Sequence, residues 1–290
     1  MQVARTFSAG KKEHMVASCS FWGYNQQRGG LMQNNMAMEA WKNTVVKAND
    51  LIQKSRFGLS LQQQKIVLYL ISQITPYDED FKLYEFNLVE FCHVCGIDCN
   101  SGKNYADIKA AIKEIADKSI YITLPNGKET LVRWIAKPYL DKSTIQIKLD
   151  EDMKPYLLQL KENFTQYELL WTLNFKSKYT TRLYELIKSI HYQELNVYQR
   201  EFTLDELRRL LGAETYTTYQ TLKSRVLQRA IDEINRYSDK NVAYEPIKKG
   251  KAVVKVLLTI STKNAIDRLR LRDEIERNFG SDQFTIWEMT

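Results

Sequence analysis

Two stretches of this sequence decide the fold, because they repeat one pattern 116 residues apart. The first reads Glu85-Phe86-Asn87-Leu88-Val89-Glu90, and the second reads Glu201-Phe202-Thr203-Leu204-Asp205-Glu206. A glycine closes each copy, Gly96 in the first and Gly212 in the second. Each copy predicts a short strand and then a helix of about two turns that stops at the glycine. We expect the third residue of each stretch to cap its helix.

A second helix and a hairpin follow each copy. Apolar residues at helical spacing predict helices over 105–118 and 219–234. Asn126-Gly127 then predicts a hairpin turn in the first copy, and Gly250 predicts one in the second. A helix–turn–helix followed by a hairpin is a winged helix. The sequence therefore predicts an α+β fold of two tandem winged-helix domains related by an internal pseudo-repeat.

The repeat also sets the predicted domain boundaries, with a short helical connector expected at 151–161. The predicted units are 41–150, the first winged helix; 151–265, the second winged helix; and 266–290, a C-terminal helix or tail. Residues 1–40 are rich in Gln, Asn, Gly and Ser and show no regular period, which predicts a disordered N-terminal extension. Met36 and Met38 stand just before the patterned sequence, and translation starting at either is a hypothesis.

The basic charge of the chain is concentrated on the second copy. The whole sequence carries a net charge of +7, and residues 216–255 alone hold nine basic and four acidic residues. A helix can enter the major groove, where Arg grips guanine edges, while hydroxyls and lysines suit phosphates. This segment therefore favours DNA binding over the alternative of a solvated helix and turn. Its candidate contacts are Thr217, Thr218, Thr221, Lys223, Arg225, Arg229, Lys248, Lys249 and Lys251.

The corresponding helix of the first copy is less basic. Its candidate contacts are Lys103, Asn104, Lys109 and Lys113. Asp107 and Glu114 offset their charge. Two alternatives stay open for this helix: it binds a second DNA segment, or it serves partly as an interface.

A short cysteine cluster raises the question of a metal site. Cys92 and Cys95 have the spacing of zinc ligands, with His93 between them and Cys99 beyond. A structural zinc site needs four ligands, usually from two separated pairs, and the sequence has no second pair. We therefore predict that these cysteines pack in the core and that the protein holds no metal.

The sequence also lacks the motifs of enzymes that process DNA. Its three histidines, His14, His93 and His191, are isolated, so no His-x-His pair could hold a metal beside a nucleophilic tyrosine. No G-x-x-x-x-G-K-[ST] loop for ATP occurs either. We predict no catalytic residues and no cofactor. No apolar run approaches about 18 residues, so no transmembrane helix is expected, and the few cysteines favour a reducing cytoplasm.

One segment between the two copies resembles a known family. The run Ser177-Lys178-Tyr179-Thr180-Thr181-Arg182-Leu183-Tyr184-Glu185-Leu186 is similar to the s-x-Y-s-x-R-L-Y-E-L segment of the replication initiator (Rep) proteins of iteron-containing bacterial plasmids. Residues 45–52 and 59–65 carry further markers. The resemblance covers about residues 44–270.

The resemblance implies a function without cofactor or catalytic residues. Two winged helices would bind one repeated origin element of double-stranded DNA, the iteron, and monomers would help open the origin. Dimers, joined largely through the first domain, would repress the protein's own promoter, and the host initiator and replicative helicase would be partners. The main reading helix would fall at 216–229. The residues that would open the preceding helix, beside phosphates, are Lys178, Tyr179, Thr180 and Arg182.

Two alternatives compete with the initiator. One is a winged-helix transcriptional repressor without a replication role, and the other is a nicking enzyme of the rolling-circle type. The missing His-x-His pair counts against the enzyme. Tandem direct repeats beside the gene would favour the initiator, whereas a lone inverted repeat would favour the repressor.

Overall fold

The structure, a computed structural model, describes residues 44–56, 58–75, 77–95, 102–124, 126–141, 144–190 and 196–287, except for the side chains of residues 90, 93–95, 102–105 and 279–287. The predicted extension over 1–40 lies outside the described residues, as do both candidate start methionines and the glycine at position 96. Both copies of the repeat lie within the chain that begins at Thr44.

The first half of the chain forms one winged helix and its flanking strands. Its elements are β1 (Thr44–Ala48), α1 (Asn49–Gln53), β2 (Ser55–Arg56), α2 (Leu61–Ser72), β3 (Tyr84–Asn87), α3 (Leu88–Cys95), α4 (Gly102–Asp117), β4 (Ser119–Thr123), β5 (Glu129–Arg133), β6 (Tyr139–Leu140) and β7 (Thr144–Ile147). Helices α3 and α4 form the helix–turn–helix, and the β4–β5 hairpin is the wing.

The second half begins with a helical connector and repeats this plan. Its elements are a 3₁₀ turn (Glu151–Met153), α5 (Lys154–Leu157), β8 (Phe164–Glu168), α6 (Leu170–Leu173), α7 (Lys178–Ser189), β9 (Val197–Thr203), α8 (Leu204–Leu211), α9 (Tyr219–Leu222), a π turn (Lys223–Leu227), α10 (Gln228–Tyr237), β10 (Lys240–Lys249), β11 (Ala252–Thr262) and α11 (Ala265–Trp287). Helix α8 and the continuous helix from α9 to α10 form the helix–turn–helix, and β10–β11 is the wing. The predicted pair of winged helices is confirmed.

The strand before each helix–turn–helix pairs differently in the two copies. In the second copy β9 joins the wing, with Phe202 opposite Val256, and the sheet order is β10-β11-β9. In the first copy β3 pairs with β7, with Phe86 opposite Ile145, while β2 extends the β4–β5 wing. The repeated sequence therefore forms the same helices and hairpin but two different sheets.

Local capping explains where the repeated helices begin and end. The Oδ1 atom of Asn87 accepts from the backbone N–H of Val89 (2.9 Å), and the Oγ1 atom of Thr203 accepts from that of Glu206 (3.1 Å). Gly212 ends α8 with a φ of 65°, a left-handed conformation that glycine adopts without a Cβ clash. Both predicted caps and the glycine stop of the second copy are confirmed.

The chain stays in contact with the first winged helix after residue 150. The connector helix is shorter than the sequence predicts, one 3₁₀ turn and the four residues of α5. Beyond it, β8 pairs antiparallel with β1 and places Glu168 opposite Thr44. Residues after 150 thus complete a sheet begun before it, and the domain boundary at that position stays a prediction.

Helix α7 forms the centre of the described chain. Nine of its twelve residues are buried. It packs against α1, α2 and β8 of the earlier chain and against α8 and α10 of the later chain. A single cluster of buried apolar side chains includes both halves, from Val45 to Ile275. The two winged helices therefore share one core rather than folding around two separate ones.

A buried ion-pair network lies against α7. The Nζ atom of Lys47 is 2.6 Å from Oε1 of Glu185, and the hydroxyl of Tyr167 donates to the same oxygen (2.7 Å). Burial lowers the pKa of Lys47. Burial alone would raise the pKa of Glu185, but the charges of Lys47 and Arg182 outweigh that effect and lower it. Removing one partner of such a buried pair strands the other charge, at a cost of about 3–5 kcal/mol.

A second polar cluster lies beside α7, where α10 meets β10. Tyr184 donates to one carboxylate oxygen of Asp239 (2.7 Å), and Lys188 donates to the other (3.1 Å). The next residue, Lys240, is buried, and its Nζ atom donates to Thr262 (2.7 Å). Burial, aided by the charge of Lys188, lowers the pKa of Lys240 to about 8. Keeping this ammonium charged at neutral pH therefore costs folding free energy.

The described chain ends in α11, which is tied to the β1–β8 sheet. Arg272 donates to both carboxylate oxygens of Glu168 (2.7 and 2.5 Å) and lies over the ring of Trp171. Ile275, one turn later, is buried in the shared core. Of the helices in the described ranges, none is long and apolar enough to cross a membrane.

Replacing Lys240 with Met should change how stability depends on pH. Between its folded pKa of about 8 and its ordinary value of 10.5, Lys240 binds fewer protons in the folded state than in the unfolded chain, so stability rises with pH. From about pH 7.5 to about pH 9, the wild type should gain about 1 kcal/mol more unfolding free energy than Lys240→Met. Urea titrations at the two pH values measure this difference, and equal gains would contradict the lowered pKa.

Candidate nucleic-acid interface

Helix α8 anchors the second helix–turn–helix to the core. It buries Leu207, Leu210 and Leu211, while Asp205 and Arg209 are exposed. Past its glycine end, the backbone N–H of Ala213 donates back to the carbonyl of Arg208 (2.8 Å). The start of the turn between the two helices is therefore fixed by backbone hydrogen bonds.

Arg208 fixes the end of the same turn. Its guanidinium donates to the carbonyls of Tyr216 (2.8 Å) and Thr217 (2.7 Å) and to the carboxylate of Asp205 (2.7 Å). The Arg208 side chain is only 13% exposed, so its guanidinium is held against the turn, although Asp205 on the outer side is open to solvent. Both carbonyls come directly before the next helix, whose starting angle Arg208 therefore sets. Sequence reasoning missed this residue, because the contact depends on the path of the turn.

The continuous helix over 219–237, here called the reading helix, has one apolar and one polar face. Thr218 caps it, with Oγ1 accepting from the backbone N–H of Thr221 (3.2 Å). Its inward face buries Leu222, Val226 and Ala230. Its outward face is exposed and polar, and it carries Gln220, Thr221, Ser224, Arg225, Gln228 and Arg229. Gln220, Ser224 and Gln228 were not among the predicted contacts, although their spacing opposite the apolar positions was a signal that could have found them.

The π turn over Lys223–Leu227 changes the geometry of this outward face. A π turn holds more residues per turn than the 3.6 of an α-helix. Side chains four apart in the sequence, such as Gln220, Ser224 and Gln228, therefore lie closer to a straight row along the helix axis. The reading helix thus presents successive polar groups on one narrow strip.

The two arginines of the outward face differ in their surroundings. Arg225 is exposed and makes no hydrogen bond or ion pair with any residue that the structure describes. Arg229 donates through Nε to Glu233 (2.9 Å) and through Nη2 to the carbonyl of Lys176 (3.1 Å). Arg229 is therefore held toward the start of α7. Of the two, Arg225 is the one whose guanidinium is free to meet a base edge.

The three threonines predicted as contacts surround the start of the reading helix. Thr217 is exposed, but its carbonyl is held by Arg208. The hydroxyls of Thr218 and Thr221 lie 2.9 Å apart and are hydrogen-bonded. Lys223, the first residue of the π turn, is half-buried. These residues therefore shape the helix start as well as offering polar atoms at its surface.

Three lysines stand at the tip of the second wing. Lys248, Lys249 and Lys251 are all exposed. Gly250 has a φ of 64°, which lets the hairpin turn tightly between them. The pairing register shifts between Ile247 and Lys248, and such a bulge increases the twist of the hairpin just below its tip.

The wing is tied to the reading helix by side-chain hydrogen bonds. The hydroxyl of Tyr244, on β10, donates to Oε1 of Gln228 (3.1 Å). Asn235 donates to the carbonyl of Val242 (2.9 Å) and accepts from its N–H (2.6 Å). We call the outward row of the reading helix and the lysine tip together the candidate interface; its residues are Gln220, Thr221, Ser224, Arg225, Gln228, Lys248, Lys249 and Lys251.

Two of the four residues predicted at the start of α7 lie near the surface. The Nζ atom of Lys178 is 5.0 Å from the ring centroid of Tyr179, and both residues are half-buried. The ring of Tyr179 meets that of Tyr216 edge-on, with centroids 6.0 Å apart. Burial raises the pKa of Tyr179 to about 12, and a hydrogen bond with Tyr216 acts in the same direction. The hydroxyl of Tyr179 is therefore neutral at physiological pH, and the contact between the two rings attaches α7 to the turn before the reading helix.

The other two residues lie inside the protein. Thr180 is fully buried and donates to Glu233 (2.7 Å), and Arg182 is buried and donates to backbone carbonyls. The phosphate contacts expected from the resemblance do not fit Thr180 and Arg182, because their side chains are closed off from solvent. The hydrogen-bond partners of both residues are far away in the sequence, so the local sequence pattern does not reveal that these side chains are buried.

The first copy presents a smaller basic surface. Lys109 and Lys113 are exposed on α4, and Lys113 pairs with Asp117 one turn later (2.6 Å). The side chains of Lys103 and Asn104 lie outside the described residues. The two alternatives for this helix, DNA contact and an interface, therefore both stay open.

The cysteine cluster falls partly on described residues. Cys92 is buried in the core, as predicted. The side chains of His93 and Cys95, and the whole of Cys99, lie outside the described residues. Across the side chains that the structure does describe, no three metal-binding groups come together.

Two winged helices in tandem, one with a polar reading helix and a lysine-tipped wing, define a class of proteins built to contact nucleic acid. Two family models match the chain in this order: "Initiator Replication protein, WH1" over residues 44–188 and "Initiator Rep protein, WH2" over residues 203–260. The chain belongs to this family of replication initiator (Rep) proteins, and the family inferred from the sequence is confirmed.

Individual relatives agree with this assignment. A replication initiation protein of Escherichia coli is 24% identical over 241 residues, which cover 81% of this chain and 73% of the relative. The crystal structure of the Pi initiator protein in complex with iteron DNA matches with a TM-score of 0.61 and 19% identity, over 77% of this chain and 98% of that one. At that identity, the structural likeness establishes the shared fold.

Replacing Arg208 with Ala should weaken DNA binding although Arg208 lies behind the reading helix. The substitution removes two charge-assisted hydrogen bonds that set the start of this helix, so affinity should fall about tenfold, or about 1.4 kcal/mol. Arg209→Ala is the matched control, because it removes the same charge from the exposed neighbouring position. Fluorescence anisotropy at fixed salt measures both, and an equal loss in the two variants would show that only charge matters.

Proposed function

We propose that this protein binds directly repeated double-stranded DNA at a plasmid origin and that its second winged helix reads the bases. The observation that carries the proposal is the candidate interface, where the outward row of the reading helix and the lysine tip of the wing belong to one rigid unit. An α-helix fits the major groove, and a wing beside it lies over the sugar–phosphate backbone. The two parts thus divide the work of base and phosphate contact.

Base recognition is assigned to Arg225 and its neighbours in the outward row. The guanidinium of Arg225 can form a bidentate contact with guanine, and the amide of Gln220 can do so with adenine. The amide of Gln228 is held within the protein by Tyr244 and Asp232. Tyr244 is not assigned to base contact, because its hydroxyl donates to Gln228 and holds that side chain in position. Phosphate contact is assigned to Lys248, Lys249 and Lys251, which are exposed. Contacts between lysines and phosphates do not depend on the base sequence.

Family membership supports the choice of an origin as the target. Both initiator models match in tandem, and a protein of this fold, the Pi initiator, is known in complex with iteron DNA. A repressor without a replication role is not favoured, because both family models that match the chain are those of replication initiators. By the same resemblance, we propose one domain on each half of an iteron.

The wider role follows from the family. We propose that the protein helps open the origin in the bacterial cytoplasm and recruits the host initiator and the replicative helicase. Dimers formed through the first winged helix would repress its own promoter. We further propose that it does this without catalysis, and supercoiled origin plasmid should therefore stay intact when it is incubated with the protein and a divalent metal.

Footprinting on the DNA that flanks the gene tests the target. The protein should protect tandem direct repeats, with protected segments recurring at a constant spacing. A duplex with one repeat inverted should lose the regular pattern at that position. Protection of a lone inverted repeat, with no direct repeats bound, would identify a repressor instead.

Replacing Arg225 and Arg229 separately with Ala tests the assignment of the base-reading residue. Arg225→Ala should cost about 1–3 kcal/mol of affinity and relax the preference for one base. Arg229→Ala also removes one positive charge, on the next turn of the helix. Because the Arg229 side chain is held by Glu233, this substitution should leave the base preference unchanged. Binding to a panel of single-base variants of the repeat measures both. The assignment fails if Arg229→Ala, and not Arg225→Ala, relaxes the preference.

A further inference from the structure

One buried arginine touches both winged helices. Arg182, on α7, donates through Nη2 to the carbonyl of Ile52 (3.1 Å) in the first half of the chain. The same guanidinium donates through Nη2 and Nε to the carbonyl of Leu210 (3.0 and 3.3 Å) in the second helix–turn–helix. Its side chain is 6% exposed. The guanidinium of Arg182 therefore binds one carbonyl 130 residues before it and another 28 residues after it.

Both acceptors lie at helix ends. Ile52 is in the last turn of α1, and Leu210 is in the last turn of α8. The last four carbonyls of a helix have no partner within it, and the negative end of the helix dipole favours a cation there. Arg182 thus caps the carboxyl ends of two helices at once, one from each winged helix.

The orientation of this guanidinium is itself fixed. Oε2 of Glu185, one turn along α7, lies 3.7 Å from Nη1 of Arg182. Glu185 is held in turn by Lys47 and Tyr167 on the paired strands β1 and β8. The position of Arg182 therefore follows from the sheet of the first half, and α8 is placed relative to that sheet.

Stability alone does not account for a buried charge at this point. Apolar residues of similar volume often stabilise a core as well as a buried ion pair does or better, whereas charged groups impose a defined geometry. Lysine is a poor replacement for the arginine, because Nη2 and Nε hold the carbonyl of Leu210 from one rigid plane while Nη2 also reaches that of Ile52, and an ammonium has no such fork. The geometry of the guanidinium, rather than its charge, is what joins the two halves.

We propose that Arg182 sets the angle between the two winged helices and, through it, the spacing of the two half-sites that one chain accepts on DNA. Arg182 is a positioning residue in this scheme, since it is buried and touches no DNA. The inference rests on the proposed function, in which both winged helices contact one repeated element. One added base pair rotates the second half-site by about 34°, because B-DNA has about 10.5 base pairs per turn. A rigid pair of domains would not follow that rotation.

Binding of the full chain to repeats with altered half-site spacing tests the proposal. Wild-type affinity should fall at least tenfold when one or two base pairs are inserted between the half-sites. Arg182→Lys should bind the unaltered repeat more weakly and lose less than about threefold on insertion, because its domains can rotate. Tyr184→Phe is the control, since it removes a buried hydrogen bond from the same helix on one side only. It should keep the wild-type spacing profile.

A second variant and a DNA-free measurement complete the test. Arg182→Gln removes the guanidinium but leaves Glu185 paired with Lys47, so no buried charge is stranded, and it should flatten the profile as Arg182→Lys does, which covers failure of Arg182→Lys to fold. Energy transfer between labels at Asn126 and Lys249, the two wing tips, should give one narrow distance in the wild type and a broad one in Arg182→Lys.

The outcomes separate the two proposals. A narrow distance in every folded variant, or an unchanged spacing profile in Arg182→Lys, would overturn the role of Arg182. The other outcome is a narrow distance in the wild type, a broad one in Arg182→Lys, and no binding of repeated DNA by the wild type. That result would support the role of Arg182 in fixing the domain angle, but it would overturn the proposed function and the half-site spacing that depends on it.

Discussion

The pairing of Glu185 with Lys47 and Arg182 is the constraint on which the rest of the structure depends. A carboxylate buried in the centre of α7 is tolerated only because two cations and the hydroxyl of Tyr167 converge on it. Lys47 comes from the first described strand, so the burial of Glu185 on α7 depends on this strand. The charge balance of a single helix thus obliges distant parts of the chain to assemble together.

This obligation gives the tandem repeat its asymmetry. Each copy has the same helices and hairpin, but β3 and β9 join different sheets because their surroundings differ. The β1–β8 sheet lies outside the repeat altogether and supports α7 from one side. The copies therefore behave as two versions of one motif attached to a common helix, rather than as two interchangeable modules.

The parts of the fold that the sequence predicted are those controlled by near neighbours. The caps at Asn87 and Thr203 and the stop at Gly212 act within four residues, so the local pattern contained all the information needed. The π turn and the shortness of the connector were not predicted, because both depend on how the surrounding helices pack. Tertiary context also decided the path of the chain after residue 150.

The candidate site shows the same division. The exposed position of Arg225 followed from the helical period, and the pairing of Arg229 with Glu233 has the four-residue spacing that a sequence reveals. The burial of Arg182 could not be read in this way, since its partners are 28 and 130 residues away. Arg182 stands in a polar run and was interpreted as a surface contact, but its hydrogen-bond acceptors are carbonyls of the protein itself.

The π turn makes the reading helix tolerant of a change in length. In a regular α-helix, one inserted or deleted residue rotates all later side chains by about 100°, which would pull Ala230 and Ile234 out of the core. A π turn contains such an extra residue without unfolding the helix around it. Leu222, before the π turn, and Ala230, after it, both stay on the buried face of the helix although the turn holds the extra residue between them. The helix can therefore change in length by one residue at this turn without loss of the fold that supports it.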